Sequence, residues 1–463
     1  MIGEIARKAI EDKKDVIIDL ATKIWQNPEL AFGEHKACRW TAEVLKDEGF
    51  DVEVGYAGMP TAIRAVWGSG KPVIGLLGEY DALPGLSQKL STVQEPEACD
   101  VGHGCGHNLL GAAHVAAAIG AKKEMEERSL SGTIVFYGCP AEERVVGKGY
   151  MAREGAFREL DVAFAYHPAS SYMFTIGTMA ALNTAKFHFK GKTAHAGGDP
   201  HNGRSALDAA ELMNVGANFL REHLPDIVRL HYTYTEVPAV PNIVPDRATV
   251  WYYVRAKSRE MVEEAYARLI KVAQGAAMMT ETEVEVEYMG GCYNTLSNKL
   301  VTQLLRDTAA ELPELDWSEG ELKFAKALND NSELFRKSVA SGELDGNIHL
   351  ESAVPSELEM KNSFGSTDVG DVSHIVPCTM FSVPSSNLGA GGHTWQVTAS
   401  SGSSIGMKGM LRAGEIMAVS AIKIFEDPSI ADSAKEEFKA SMGSKTYVCP
   451  IPKDAPVPVI QGE

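Results

Sequence analysis

The sequence predicts an α/β protein whose main domain is interrupted by a smaller inserted domain. Three observations carry this: four short, predominantly apolar runs without alternation, a strong helical segment between the first two, and a change to strict alternation mid-chain. At 463 residues the chain has room for two to three domains at roughly 100–200 residues each. Hydrophobic residues at 44% and charged residues at 23% are ordinary globular values. They exclude disorder, a collagen-like fibre and a small disulfide scaffold.

Residues 1–26 carry apolar side chains at helical spacing as far as Asn27-Pro28, and a second helix is expected over 35–48, stopping at Gly49. The runs VIGLLG (73–78), TIVFYG (133–138), VAFAY (162–166) and TMFSV (379–383) suit strands buried on both faces of a parallel sheet. Residues 108–128 form a helix between the first two, with Asn108 placed to cap it, so strand–helix–strand gives a βαβ unit. From ALNTAKFHFKG (181–191) onward the pattern alternates, with Ala185, Phe187 and Phe189 on one face and Lys186, His188 and Lys190 on the other. RLHYTYTE (229–236), ATVWYYVRAK (248–257) and TEVEVEY (282–288) alternate likewise, and helical stretches at 205–223 and 259–279 lie between them. Strand, helix, strand, strand, helix, strand is the ferredoxin-like βαββαβ order, which places an inserted domain at 180–291. Helical patterning then resumes at 297–312, 318–328 and 410–425. The polar 330–362 stretch is expected to be a loop or irregular excursion, and the Pro-rich 450–458 tail a surface strap or disordered.

Lys+Arg 44 against Asp+Glu 62 leaves a net charge of −18. That argues against nucleic acid or an anionic membrane as partner, since both need a basic face. The seven cysteines are an odd number, widely spread, and no apolar run is long enough to span a bilayer. With no signal-peptide pattern at the N-terminus, a reduced cytoplasmic location is expected.

Polar residues with metal-ligand chemistry cluster just past the buried strands: Asp81, the pair Glu142 and Glu143, and His167. The carboxyl ends of parallel strands are where α/β proteins place ligands. HGCGH (103–107) fits three readings: a glycine-rich turn, a catalytic thiol at a helix N-terminus, or a source of Cys and His ligands for zinc-like metals. Adjacent carboxylates in PAEE (140–143) can divide the labour of metal-assisted hydrolysis, one on the metal and one taking a proton from water. Alone, the same pair is equally a solvated helix start.

NPEL (27–30), GEYDALPG (78–85), GHGCGHN (102–108), PAEE (140–143), KTAHAG (192–197), PNIVPD (241–246) and GGHTW (391–395) occur in the order and spacing of the M20 metallopeptidase/amidohydrolase family. The chain resembles that family over nearly its whole length. Its CGH motif resembles the amidohydrolase branch, and with STDVGDVS (366–373) and CPIPK (449–453) it is most similar to the group of B-type subunits of p-aminobenzoyl-glutamate hydrolase. The resemblance implies a discontinuous two-metal hydrolase domain with a mainly parallel central sheet at 1–179 and 292–463, and a βαββαβ lid and dimerisation domain at 180–291. It further implies two divalent ions per subunit, zinc or manganese, held by Cys105, His107, Glu143, His167 and His393. Glu142 matches the general base, and Asp81 the carboxylate that supports a metal ligand. His195 matches a lid histidine that reaches the partner subunit's site and steadies the oxyanion. Asn242 and Arg255 match substrate-gripping lid positions, where a guanidinium suits a carboxylate. Ser366 and Thr367 sit where family members offer hydrogen bonds to substrate.

Two departures stand out. Many peptidase members carry His where Tyr80-Asp81 follows Glu79, so Cys105 is expected to supply the replacement ligand; Asn108 stands where Asp is usual, removing a negative charge. The implied activity is hydrolysis of the amide of an N-acyl or aroyl amino acid, with p-aminobenzoyl-glutamate the leading substrate. A dipeptidase, an indole-acetyl-aspartate-type conjugate hydrolase and a non-catalytic regulatory subunit are the alternatives. The expected partner is a second copy through the lid or a related A-type subunit, with no nucleic acid and no membrane.

Overall fold

The computed structural model describes residues 2–460; Met1 and 461–463, at the outer ends of the first domain's two segments, lie outside the described residues. Two compact units are present: Met1–Gly177 with Leu296–Lys361 and Asp371–Glu463, and Thr178–Thr295 with Asn362–Gly370.

The first unit is built on a seven-stranded sheet. Across it run Asp51–Val54, Ile63–Ser69, Gly132–Cys139, Val73–Glu79, Val162–Ala169, Cys378–Pro384 and Met173–Phe174. The four strands from Gly132–Cys139 to Cys378–Pro384 are parallel; the outer pairings are antiparallel. Val73–Glu79 and Gly132–Cys139 are buried at every position, which is why they show no alternation. Helix His107–Arg128 connects them and packs on Val73–Glu79 and on helix Ser404–Glu426. Residues 107–121 of that helix are all buried, as expected of a segment apolar on every side.

Several expectations need correction. The first helix is two, Glu4–Asp12 and Lys14–Gln26, broken at Lys13, whose φ of −106° and ψ of 5° leave the helical range. Asn108 is not a cap: the helix begins at His107, after Gly106 with φ 79°, and Asn108 Nδ2 instead donates to the carbonyls of Ala21 and Ser401. A Cβ at position 106 would also lie 3.1 Å from Pro168 Cγ, so both conformation and space call for glycine. Within 330–362, Ser332 accepts from Phe335 N and starts helix Glu333–Ala340 before the chain turns irregular. Helices Trp395–Ser401 and Ser429–Met442 had no counterpart in the sequence reading. The Pro-rich tail is a strap on helix Gly147–Arg153: Arg153 Nη1 donates to Pro452 O and Ala455 O, and Tyr150 OH to Pro456 O.

The second unit holds a four-stranded antiparallel sheet in the order Arg229–Glu236, Arg247–Ala256, Ala181–Lys190, Glu283–Cys292. Helices Ala206–Arg221 and Arg259–Thr280 complete the βαββαβ order. Ser205 and Ser258 cap them by accepting from Asp208 N and Met261 N. Ala185, Phe187 and Phe189 are buried in this unit's core. On the opposite face His188 pairs with Glu287 and Lys190 with Glu285 across neighbouring strands.

Candidate active site

Four loops and one strand of the first unit bring the metal-competent residues together. Val73–Glu79 ends at Glu79 and runs into Asp81; the HGCGH loop carries Cys105 and His107; the turn Glu142–Arg144 follows Gly132–Cys139; and His167 lies inside Val162–Ala169. His393 arrives from the distant GGHTW loop, pinned where its backbone N donates to Gly104 O at 3.1 Å. Three non-glycine residues here adopt the left-handed conformation: Ala141 (φ 59°), Val145 (φ 57°) and His393 (φ 57°). Such conformations cost of order 1–3 kcal/mol each and persist where the surroundings over-determine them. Here Ala141 N donates to the buried Glu34 carboxylate at 2.8 Å, and a Cβ on Gly147 would fall 1.6 Å from Pro140 O.

The geometry singles out Asp81. This buried carboxylate accepts from His107 Nδ1 at 2.9 Å through one oxygen and from Glu143 N at 2.8 Å through the other. With Nδ1 so engaged, His107 directs Nε2 into the cluster. That atom and Glu143 Oε1 are buried, 3.9 Å apart, and neither has a hydrogen-bond partner among the described residues. Two buried polar atoms left facing each other are costly unless something binds both. Cys105 Sγ is 3.2 Å from His167 Nε2, and His393 Nε2 is 3.6 Å from Glu143 Oε2. Cys105, His107 and His167 can hold one ion, and Cys105, Glu143 and His393 another, each set with its ligand atoms within 4.8 Å. The donor set of thiolate, imidazole and carboxylate fits a zinc-like divalent cation.

The electrostatics favour the same reading. Burial pushes the Cys105 thiol well above its usual range, reinforced by the Glu143 charge, while burial and His107 pull His167 down to about 4. A nucleophilic cysteine needs the opposite shift, so these directions weigh against an activated thiolate–imidazolium pair at the 3.2 Å contact. Burial would lower His107, but Cys105 and Asp81 outweigh it and hold its proton far above the normal range. Burial and then Glu79 raise Glu142 to about 7; burial raises Glu143 to about 8. So many acidic groups packed together call for positive charge.

In the second unit, His195 Nδ1 accepts from the backbone N–H of Gly197 and Gly198 at 3.1 and 2.9 Å, leaving Nε2–H as its donor. Arg255 Nη1 donates to Phe364 O and Ser366 Oγ, and its buried Nε has no hydrogen-bond partner among the described residues. Thr367 is buried and accepts from Val369 N. Asn242 is exposed and its carbonyl accepts from Ala196 N. Beside Cys105 and His167, a cavity of about 220 Å³ is lined by Pro168, Met173, Ser385 and Ser386.

Residues 75–327 match the family described as Peptidase family M20/M25/M40. The chain belongs to that family. Over 96% of its length, and 96% of the relative's, it is 39% identical to the B subunit of p-aminobenzoyl-glutamate hydrolase from Escherichia coli (strain K12). Among solved structures, it is similar to an aminobenzoyl-glutamate utilization protein from Klebsiella pneumoniae (TM-score 0.60, 18% identity, 90% of this chain and 97% of that one). It is also similar to a dinuclear metal binding peptidase of the M20 family from Bacillus subtilis (TM-score 0.57, 17% identity, 90% and 99%). At those identities the structural likeness speaks for the fold. Membership makes this an M20 hydrolase of the peptidase and amidohydrolase class, and no helix among its described residues is long and apolar enough to cross a membrane.

Sequence reasoning missed three buried groups of this M20 site. Glu79 faces His107 Nε2 at 3.4 Å; Lys148 donates to Glu79; and Glu34 supports the PAEE loop. GEYDALPG contains Glu79, which gave a signal, whereas nothing local marks Lys148. His103, though within HGCGH, turns away toward Ile24 O.

Proposed function

We propose that this chain hydrolyses the amide bond joining an acyl or aroyl group to an amino acid, with p-aminobenzoyl-glutamate the leading substrate. The observation that carries the reading is the Asp81-tethered His107 and Glu143 cluster with Glu142 alongside, whose Oε2 lies 3.9 Å from His107 Nε2. Cys105, His107, Glu143, His167 and His393 would hold two divalent ions, zinc or manganese, which supply Lewis-acid polarisation of the carbonyl and of water. Glu142, raised toward neutrality, takes a proton from the attacking water and returns it to the leaving amine. Asp81 keeps His107 in the tautomer that presents Nε2. The cavity of about 220 Å³ beside Cys105 and His167 takes the acyl or aroyl group.

The βαββαβ unit acts as lid and dimerisation domain. There Arg255, with an unfilled Nε–H and its Nη1 braced on Ser366, receives the amino acid's carboxylate, helped by Asn242 and Thr367. His195, with Nε2–H outward, donates to the oxyanion in the partner's site. That partner is a second copy, or an A-type chain as the relative's designation as a B-type component suggests.

The test is a panel of p-aminobenzoyl-glutamate, other N-acyl aspartates and glutamates, and dipeptides, assayed with zinc- and manganese-loaded protein. Preference for N-acyl acidic amino acids supports the reading. Preference for dipeptides with a free amine, or no turnover until an A-type chain is added, replaces it with the dipeptidase or regulatory-subunit alternative.

A further inference from the structure

Glu79 is the carboxylate nearest the open nitrogen of His107. Its Oε2 lies 3.4 Å from Nε2, whereas Glu142 Oε2 and Glu143 Oε1 are each 3.9 Å away. Glu79, His107 and Glu142 thus form a third set able to hold an ion, with one ligand atom each inside 4.8 Å. An ion seated there would take Glu142 as a ligand, and a carboxylate that shares its charge with a metal is a much weaker base toward water. This third set would compete with the two that leave Glu142 unligated.

What distinguishes Glu79 from the other carboxylates is its cation. Lys148, on helix Gly147–Arg153, is fully buried, and its Nζ donates to Glu79 Oε1. An ammonium offers donors and no lone pair, so it cannot be a ligand; at a low-dielectric site it neutralises the carboxylate it holds and repels a second cation. The helix that carries it is itself held down, by Cys449 Sγ on Gly149 O and by the contacts of Arg153 and Tyr150 to the tail. Lys148 is thereby fixed from the side remote in sequence from its partner.

We propose that Lys148 is a positioning residue that keeps Glu79 out of the metal coordination shell, leaving Glu142 free to move protons. The inference rests on the reading of Glu142 as the base, but its primary test does not depend on turnover. Wild type, Lys148→Met, Lys148→Arg and the double variant Lys148→Met/Glu79→Gln are loaded with Co²⁺, and cobalt content and visible absorption are recorded. In Lys148→Met, cobalt content is retained while the d–d bands lose intensity, because an added carboxylate raises the coordination number. The double variant and Lys148→Arg regain the wild-type bands. Turnover falls about 100-fold in Lys148→Met, the scale of losing a general base, and the double variant recovers most of it. If Lys148→Met does not fold, Lys148→Gln, which keeps a donor without the charge, carries the same comparison. Wild-type cobalt bands in the uncharged variant overturn the proposal and leave Glu142's role standing, as does a loss of intensity that Glu79→Gln fails to reverse. A wild-type chain that binds no cobalt overturns both readings.

Discussion

Asp81→Asn is the sharpest test of the cluster, because one buried carboxylate holds two ligands. Its oxygens accept from His107 Nδ1 at 2.9 Å and from Glu143 N at 2.8 Å. Asparagine has the same shape but only one acceptor oxygen. If the oxygen faces Glu143 N, the amide NH₂ meets Nδ1, and His107 must move its proton to Nε2, the atom that should bind metal. If it faces His107, two N–H groups point at each other and the Glu143 backbone must shift. Either orientation forfeits one charge-assisted hydrogen bond, worth about 1.5–3 kcal/mol. An independent scale gives the same size: loss of a carboxylate behind a ligating histidine typically weakens metal binding about 10–100-fold, or roughly 1.4–2.8 kcal/mol. The dissociation constant for Zn²⁺, measured by competition with a chromophoric chelator, should rise by that factor, and thermal melting of the metal-free protein in the same buffer separates lost affinity from lost fold. Binding within about twofold of wild type, well short of that range, would refute the reasoning.

Four further outcomes follow from the same geometry. Glu142→Gln should lower kcat by about 10²–10⁴-fold while metal content by elemental analysis stays at the wild-type level. Dialysis against a chelator should abolish hydrolysis, and adding back zinc or manganese should restore it; activity that survives full removal excludes the metal reading. Arg255→Lys should raise KM for acidic N-acyl amino acids about tenfold or more, with a smaller effect on kcat, because the planar fork is lost. Asp161 is buried and accepts from Val73 N, Lys71 and Lys435, contacts that outweigh burial and hold its carboxyl below the ordinary value. A lowered folded-state pKa stabilises above the unfolded value of about 3.9 and is lost as pH falls through the folded value. Asp161→Asn should therefore cost about 1–3 kcal/mol in urea unfolding at pH 7, and its gap to wild type should close progressively below about pH 4.

The parallel core of the sheet was legible because its strands are buried on both faces, so VIGLLG and TIVFYG carry no charged residue and no polar–apolar alternation to blur them. The βαββαβ order was legible for the opposite reason: one face of that sheet is wet toward the strand's end, so burial alternates from Ala185 to Lys190. Asp51–Val54 escaped notice because it is short, charged and largely exposed at the sheet's edge. Helix Glu333–Ala340 was hidden in a polar stretch where only the Ser332 cap marks its start. Within the site, Cys105, His107, Glu143 and His393 each sat in a recognisable motif and His167 at the end of the apolar run VAFAY, and the structure draws them together. Lys148 and Glu34 did not, because their importance lies in contacts with Glu79 and Ala141 that are 69 and 107 residues away. Asn108 misled because capping chemistry and tethering chemistry use the same side chain; burial against Ala21 and Ser401 decided between them.

The two ligand sets are unequal in their reliance on distant parts of the chain. Cys105, His107 and His167 all come ahead of the βαββαβ insertion, while His393 lies far beyond it. On the ribosome the first trio is complete while the other set still lacks its histidine. In the proposed reading the second position therefore depends on a loop that docks on Gly104 from beyond the insertion, whereas the first draws all three of its ligands from one side of it.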